Sequence, residues 1–178
     1  IARWGGEKVS VCGNLPYNIS SQILFRLLEF RDSIDRIVVM LQREMADRIL
    51  ASPGSKAYGI LAVMMQAYGD VERIINVPNT AFLPPPKVDS AVIRLQLRGS
   101  HSRMGAADPA LYSRVVHGAF AQRRKTLRNS LKSCFESDEI QPALELGGID
   151  GGRRAESLAI EEFSQLTLAF AEILAMKK

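Results

Sequence analysis

Hydrophobic positions in the first hundred residues alternate between two periodicities. Short apolar or β-branched runs predict strands, and apolar residues three and four positions apart predict helices between them. The predicted strands are 8–12, 37–41, 71–77 and 91–97, and the predicted helices are 20–30, 43–50 and 58–68. Strands that alternate with helices of about 10 to 15 residues are typical of βαβ crossovers. This part of the chain therefore predicts an α/β sheet, and the wholly apolar run 37–41 favours a buried parallel strand.

The pattern changes to helical beyond residue 98. Residues 99–108 lack periodicity and predict a linker between a first domain, 1–98, and an all-helical domain, 109–178. Apolar positions at helical spacing include Val116, Phe120, Leu127 and Leu131. Arg124, Arg128 and Lys132 follow at four-residue steps, which predicts one basic helix stripe. A short helix should end at Gly147, and the last helix should span 160–176.

Basic residues are concentrated in one segment of the helical part. The net charge is only +4, but residues 109–135 contain no Asp or Glu. Such a segment predicts a polyanionic partner, although a solvated helix face would have the same composition. Its basic residues are Arg114, Arg123, Arg124, Lys125, Arg128 and Lys132.

The remaining composition narrows the class of protein. Cys12 and Cys134 lie far apart in apolar segments, which favours reduced, buried thiols in a cytosolic protein. His101 and His117 offer no zinc-ligand spacing, so we expect no metal site. No apolar run is long enough to suggest a membrane span, and no charged-then-apolar leader follows Ile1, so we expect neither a membrane partner nor a targeting signal.

The segment VCGNLPYNIS, residues 11–20, carries the most specific chemistry. It places a polar side chain, a proline and an aromatic ring at the carboxyl end of a predicted strand, where α/β sheets form ligand crevices. The Asn14 side-chain oxygen and the Leu15 carbonyl can accept hydrogen bonds from an exocyclic amine. Pro16 restricts Leu15 to extended geometry, and Tyr17 can stack on a base swung out of its helix. An ordinary turn is the alternative interpretation.

A second segment, FLPPPKVDS, covers residues 82–90. Its three consecutive prolines predict a stiff stretch without backbone N–H donors. Phe82 could be held there as a wall that sandwiches a base against Tyr17. Alternatively, the segment is a rigid connector and Phe82 fills the core.

These two segments resemble motifs of the KsgA-type ribosomal RNA adenine dimethyltransferases. Four further stretches resemble the same family in the same order, and together they cover nearly the whole chain. They are LQREMADRI (41–49), KAYGIL (56–61), FAQRRKTLRNSL (120–131) and RAESL (154–158). The resemblance implies the carboxyl-terminal half of a Rossmann-like class I methyltransferase sheet, followed by a small helical domain.

The resemblance also implies an activity and a set of site residues. The family uses S-adenosyl-L-methionine to make N6,N6-dimethyladenine at two adjacent adenines near the 3′ end of small-subunit rRNA, in the immature small ribosomal subunit. If the family's site residues are carried over to this sequence, the residues that would hold the target adenine are Asn14, Leu15, Pro16 and Tyr17. Phe82 would stack on the adenine, and Asn14 would also contact the cofactor. The residues implied for rRNA binding are Arg123, Arg124, Lys125 and Arg128.

The sequence departs from the family at its start. No strand with a Gly-rich cofactor loop precedes Asn14, and Gly5 and Gly6 follow Trp4 without that context. We therefore expect a fragment that begins just before the family's fourth strand and has an incomplete cofactor site. Alone, it should bind S-adenosyl-L-methionine poorly and turn over little. The strand at 8–12 should have an open edge that frays or pairs with another chain.

Three alternatives remain open at this stage. A large-subunit rRNA adenine methylase would share the chemistry, but NLPYNIS and the triple proline argue against it. A DNA adenine methylase would not be expected to have the helical domain. A non-catalytic RNA-binding or ribosome-assembly module would use only the basic helices.

Overall fold

The computed structural model describes residues 7–99 and 102–177, which divide into two units with separate cores. Within these residues, the first unit comprises 7–50, 68–99 and 102, and the second comprises 51–67 and 103–177. The early glycines that the sequence analysis noted, Gly5 and Gly6, lie outside the described residues, as does His101.

Four strands form one mixed sheet in the first unit. They are β1 (Val9–Asn14), β2 (Ile34–Gln42), β3 (Gly69–Val77) and β4 (Ser90–Leu97), in the spatial order β1-β2-β4-β3. β1 and β2 are parallel, whereas β4 runs antiparallel to both β2 and β3. Each strand overlaps a predicted one, and the predicted α/β class is confirmed.

The direction of β4 differs from the parallel arrangement expected around β2. The chain between Val77 and Ser90 contains no crossover helix, only a short 3₁₀ turn at Asn79–Ala81 and the proline segment. A parallel return requires a crossover of a dozen or more residues, usually a helix that carries the chain back along the sheet. Without such a helix the chain reverses, and β4 pairs antiparallel with β3.

Two helices accompany the sheet, α1 (Ser20–Glu29) and α2 (Arg43–Ile49). α1 buries Leu24 and Leu28, which lie one helical turn apart, so one face of the helix is withdrawn from water. The sheet contributes alternate residues to the same unit's core, as expected for strands. These buried strand residues include Ile37, Val39, Leu41, Ile93 and Leu95.

The outer edge of β1 has no strand beside it within residues 7–99 and 102–177. The sequence predicted such an open edge, and whether another chain pairs with it stays a prediction. Both cysteines are free, in agreement with reduced thiols. The prediction that both are buried is wrong, because Cys12 on β1 is exposed and Cys134 is only half-buried.

The second unit is helical. Its helices are α3 (Ile60–Tyr68, of which Tyr68 groups with the first unit), α4 (Pro109–Phe120), α5 (Leu127–Leu131), α6 (Ser137–Leu146) and α7 (Ile160–Met176). Asp108 caps α4 by accepting a hydrogen bond from the Leu111 N–H at 2.8 Å. The largest fully buried side chains of this core are aromatic, and they are Tyr58, Tyr112, Phe163 and Phe170.

Residues 51–67 group with the second unit, although the sequence assigned them to the first domain. The reason lies in long-range hydrogen bonds. The buried Tyr58 hydroxyl donates to the Leu158 carbonyl at 3.0 Å, and the Gly54 N–H donates to the Glu156 carbonyl at 2.7 Å. Burial, together with the charges of Glu161 and Glu162, raises the pKa of Tyr58 well above its ordinary value, so this hydroxyl stays protonated as a donor.

The predicted basic helix stripe is wrong. α4 ends at Phe120, a non-helical turn follows, and α5 begins only at Leu127. The N–H groups of Leu127 and Arg128 donate to the carbonyls of Arg153 (2.7 Å) and Gly151 (3.1 Å). Because these donors are bound outside the helix, they cannot continue the hydrogen-bond ladder of α4.

Candidate active site

The candidate site lies at the sheet edge where β1 and β2 end. Asn14 is the last residue of β1 and pairs with Met40, and Ser90, the first residue of β4, pairs with Gln42 near the end of β2. Because β4 is antiparallel, its beginning meets the carboxyl ends of β1 and β2. The segment after β1 and the segment before β4 are therefore brought to one edge, although they are far apart in sequence.

Tyr17 is anchored at this edge by two hydrogen bonds. Its hydroxyl lies 2.7 Å from the hydroxyl of Ser90, which is fully buried (0% exposed). Its backbone carbonyl accepts a hydrogen bond from the Ser20 hydroxyl at 3.1 Å, at the first residue of α1. The phenol ring is half-buried, so one part of the ring is held by the protein while another remains accessible.

The backbone at Leu15 is fixed with its carbonyl available. The Leu15 N–H donates to the Met40 carbonyl at 2.9 Å, which extends the β1–β2 pairing by one residue, and the Leu15 side chain is 9% exposed. Within the described ranges, no hydrogen bond is formed by the Leu15 carbonyl or by the Asn14 side chain. Both oxygens are therefore free to accept hydrogen bonds from a ligand.

A pocket of about 380 Å³ joins the two predicted segments. Its size falls within the usual range of small-ligand sites, about 300 to 1,000 Å³. Its walls combine one amide side chain with two aromatic rings and several prolines. The lining residues are Asn14, Leu15, Pro16, Tyr17, Phe82, Pro84 and Pro86. All five residues predicted for catalysis thus line one pocket, whereas their catalytic roles stay predictions.

The loop that carries Phe82 is fastened by Asn79. The Asn79 side-chain amide donates to the Pro86 carbonyl at 3.2 Å, and its backbone N–H donates to the Asp89 carboxylate at 3.1 Å. The Phe82 N–H donates to the Asn79 carbonyl at 3.3 Å. Asp89 also accepts from the Arg43 guanidinium at 3.0 Å, which ties the loop to the start of α2. The prolines lack N–H donors, so these hydrogen bonds from Asn79 and Phe82 hold the loop in place.

A second pocket on the same unit has a different character. It measures about 400 Å³ and is lined mostly by charged side chains, which are already paired in part. Arg43 is bound to Asp89, and Asp47 forms an ion pair with Arg73. Without an aromatic wall, this pocket offers no stacking surface for a base. The residues lining it are Gln42, Arg43, Glu44, Asp47, Lys87, Val88 and Asp89.

The four residues predicted to bind RNA are all exposed in the second unit. Arg123, Arg124 and Lys125 lie in the turn between α4 and α5, and Arg128 lies in α5. Among the described residues, none of the four forms an ion pair with a carboxylate. Arg123 donates to the Lys56 carbonyl at 3.0 Å, which holds the turn but leaves its charge unneutralised.

Arg114, from the same acid-free segment, has a structural role instead. Its guanidinium lies over the Phe135 ring, 4.3 Å from the centroid. It also donates to the Cys134 carbonyl, with an Nε–O distance of 3.1 Å. These contacts stabilise the end of the segment after α5 and use the donors that a phosphate would need.

Neither a metal cluster nor a membrane span is found in the described part of the chain. Residues 7–99 and 102–177 contain no group of three or more His, Cys, Asp or Glu side chains placed to hold a metal ion. No helix in these ranges is long and apolar enough to cross a membrane.

Comparison with known proteins identifies the class to which this fold belongs. The fold is similar to that of a dimethyladenosine transferase from Plasmodium falciparum, with a TM-score of 0.80 and 27% identity over 93% of this chain and 68% of that one. It is also similar to the 23S rRNA methyltransferase ErmE, with a TM-score of 0.63 and 26% identity over 93% of this chain and 66% of that one. The fold is thus shared with a dimethyladenosine transferase and with a 23S rRNA methyltransferase.

The family model for ribosomal RNA adenine dimethylase matches residues 5–172. The chain belongs to the ribosomal RNA adenine dimethylase family. Curated relatives carry the name ribosomal RNA small subunit methyltransferase A. One from Syntrophotalea carbinolica is 50% identical over 86% of this chain, and one from Geobacter metallireducens is 45% identical over 95%. The chain spans 58% and 62% of the lengths of these two relatives.

Proposed function

We propose that the protein containing this chain transfers methyl groups from S-adenosyl-L-methionine to the N6 amine of adenine in small-subunit rRNA, making N6,N6-dimethyladenine at two adjacent adenines near the 3′ end. The observation that carries this proposal is the single pocket shared by Asn14, Leu15, Tyr17 and Phe82. Support also comes from the family match and from the names of the curated relatives.

The pocket suits the chemistry of an exocyclic amine. The N6 lone pair of adenine is delocalised into the ring, which makes the amine a poor nucleophile. The Asn14 side-chain oxygen and the Leu15 carbonyl are both without hydrogen-bond partners in the described structure. Each can accept a hydrogen bond from one N–H of this amine. Two acceptors favour a tetrahedral nitrogen whose lone pair is exposed for transfer. Such preorganised dipoles are a large source of transition-state stabilisation.

The aromatic residues supply binding for the base. Tyr17 and Phe82 line the same pocket from two different segments, so an adenine between them would stack on both rings. Stacking of a base on an aromatic side chain contributes about 1–3 kcal/mol. This energy would offset part of the cost of taking the adenine out of its stack.

S-adenosyl-L-methionine would supply an electrophilic methyl group when bound. Of the described residues, we assign Asn14 to one wall of its site, because its side chain is exposed at the carboxyl end of β1, where ligands of α/β sheets bind. When the methyl group bonds to N6, its bond to the cofactor sulfur would break, and the proton displaced from the nitrogen could pass to water. No described residue would therefore have to act as a base with a shifted pKa.

The basic turn, by which we mean the turn residues Arg123, Arg124 and Lys125 together with Arg128 of α5, would contact the phosphates of rRNA. Four exposed cations without carboxylate partners in the described structure are suited to this role. Small-subunit rRNA is favoured over large-subunit rRNA by the names of the relatives, and the structural similarity is higher to the dimethyladenosine transferase than to ErmE.

The decisive experiment compares methyl transfer with RNA binding at the protein's natural length. Asn14→Ala should lower kcat by about 100-fold or more, as removal of one transition-state acceptor would, while the dissociation constant for unmethylated small subunits stays within about threefold. Gln22→Ala removes a similar amide from an exposed position on α1 and should change neither. Absence of methyl transfer in the unmodified protein would support a non-catalytic RNA-binding module and reject the proposal.

A further inference from the structure

Leu83 is the most exposed large hydrophobic residue in the described part of the chain. Its exposed fraction is 97%, against 72% for Met176, which lies at the end of the last helix, and 57% for Ile75 on an edge strand. A leucine side chain that is exposed to water gains none of the stabilising free energy that burial would provide. Leu83 therefore contributes almost nothing to the packing of this unit.

Leu83 lies next to the candidate adenine pocket. Its two neighbours in sequence, Phe82 and Pro84, both line the candidate adenine pocket, whereas Leu83 does not. The side chain thus stands at the pocket's border and projects into solvent.

The loop that presents Leu83 is held firmly. The N–H of the preceding residue, Phe82, is bound by Asn79, and Asn79 in turn contacts Pro86 and Asp89. Three prolines follow Leu83 directly and restrict the backbone. An apolar side chain on a restricted backbone loses little conformational entropy when it inserts into a partner.

We infer that Leu83 is a wedge that enters the RNA stack and fills the space left by the adenine bound between Tyr17 and Phe82. This inference rests on the proposed function and adds a residue that drives extrusion of the base. Proteins that kink or open nucleic acids insert apolar side chains such as Leu between base steps, where the faces of the neighbouring bases cover them. The exposed leucine and the vacated stack are complementary, because each has an apolar surface that the other removes from water.

The test measures extrusion of the base separately from binding and from catalysis. The natural-length protein is titrated with an RNA hairpin that carries 2-aminopurine at the target adenine, whose fluorescence rises when the base leaves the stack. Leu83→Ala should lower the extruded fraction on the order of tenfold, since most of the wedge is removed. Overall RNA affinity, which phosphate contacts dominate, should change by no more than about threefold.

Two further variants make the result specific. Leu83→Met keeps a long apolar side chain and should restore most of the fluorescence change. Leu146→Ala removes another exposed leucine, 51% accessible at the end of α6 and remote from the described pocket residues in sequence, and should have no effect. Because Leu83 is exposed, none of these changes at position 83 should lower the melting temperature noticeably.

Failure of the inference differs from failure of the proposed function. If Leu83→Ala extrudes the base as well as the unmodified protein while Asn14→Ala abolishes methyl transfer, the wedge is rejected and the proposed function stands. If the unmodified protein neither extrudes the 2-aminopurine in the hairpin nor methylates adenine in unmethylated small subunits, both are rejected. If Leu83→Ala weakens binding to whole small subunits but not extrusion in the hairpin, Leu83 contacts another ribosomal component and the wedge is rejected.

Discussion

The hydroxyl groups of Tyr17 and Ser90 lie 2.7 Å apart, and this hydrogen bond joins two segments separated by 73 residues. Ser90 is fully buried, whereas Tyr17 is half-buried. The bond holds the hydroxyl end of the Tyr17 side chain in place, and Tyr17 lines the pocket. A stacking surface that is already oriented loses less entropy when a base binds.

Removing this hydrogen bond should lower catalytic efficiency without removing the ring. We expect Ser90→Ala to reduce kcat/KM by about 3- to 10-fold, because a hydrogen bond of this kind contributes on the order of 1 kcal/mol. Tyr17→Phe removes the same bond from the other side. The double variant should therefore resemble the more affected single variant, and steady-state kinetics on all three would show this.

The two single changes should differ in their effect on stability. Tyr17→Phe leaves the buried Ser90 hydroxyl without this partner, which costs about 1–3 kcal/mol of unfolding free energy, whereas the Tyr17 hydroxyl left by Ser90→Ala can reach water. Denaturant titration of each variant measures the difference. Equal stabilities would contradict the argument from the burial of the Ser90 hydroxyl. Strictly additive kinetic effects in the double variant would contradict an orienting role for Ser90.

The basic turn should govern the salt dependence of RNA binding. Arg124→Gln together with Arg128→Gln removes two exposed cations that have no carboxylate partner in the described structure. Removing one cation that binds a phosphate should reduce the slope of log affinity against log salt by about 1, so the slope of the double variant should fall by up to about 2. Filter binding from low to moderate salt provides the slope.

Arg26 offers a matched control for this experiment. It is an exposed arginine on α1, outside the basic turn, and forms an ion pair with Glu29. Arg26→Gln changes the net charge without touching the turn, so its slope should equal that of the unmodified protein. A slope reduced as much by Arg26→Gln as by a single change in the turn would show that only net charge matters.

Glu162 should make stability sensitive to acid. The pKa of Glu162 is lowered mainly by a hydrogen bond from the Arg153 guanidinium, which lies 3.0 Å from one carboxylate oxygen. The Ala159 N–H, at 2.8 Å, lowers this pKa further, whereas burial raises it. A carboxyl whose pKa is lowered by folding stabilises the native state above its unfolded pKa. That stabilisation is lost as the pH falls below about 4.5, through the lower folded pKa.

Glu162→Gln should therefore lower the free energy of unfolding by roughly 1–2 kcal/mol at neutral pH, through loss of the ion pair and weakening of the bond at the start of α7. The difference from the unmodified protein should shrink as the pH falls below about 4.5 and through the lower folded pKa, because the native carboxyl then also becomes neutral. Thermal unfolding at several pH values measures this convergence. Glu172→Gln, at an exposed position on the same helix, should produce no such pattern, and a pH-independent difference for Glu162→Gln would refute the linkage.

Much of the fold could be predicted from local patterns. The strand at residues 37–41 is a wholly apolar run and the last helix is strongly periodic, and both appear in the structure, as β2 and as α7 with its predicted bounds. The juxtaposition of Asn14 and Phe82 could also be predicted, because a strand end and a stiff proline segment carry distinctive residues. These features depend on a few neighbouring residues, so the sequence displays them directly.

The features that local sequence patterns could not predict depend on tertiary interactions. A serine at the start of a strand, such as Ser90, is not distinctive in the sequence. Its hydrogen bond to Tyr17 depends on the antiparallel direction of β4, which places the two residues side by side. Similarly, the spacing of Arg124 and Arg128 suits a continuous helix, but carbonyls from the segment at 151–153 take the N–H groups that such a helix would use. Asn79 was missed because its partners lie within a loop whose shape the sequence did not indicate.

The antiparallel return of β4 also makes the pocket adjustable. Its two walls belong to separate stretches of chain, one leaving the sheet after Asn14 and one entering it at Ser90, and only the second contains the connection from Val77 to Ser90. Insertions or deletions in that connection would move Phe82 relative to Tyr17 while leaving the paired backbone of β1 intact. Related chains could thus change the width of the opening, and with it the size of the ligand they admit, without altering the oxygens of Asn14 and Leu15.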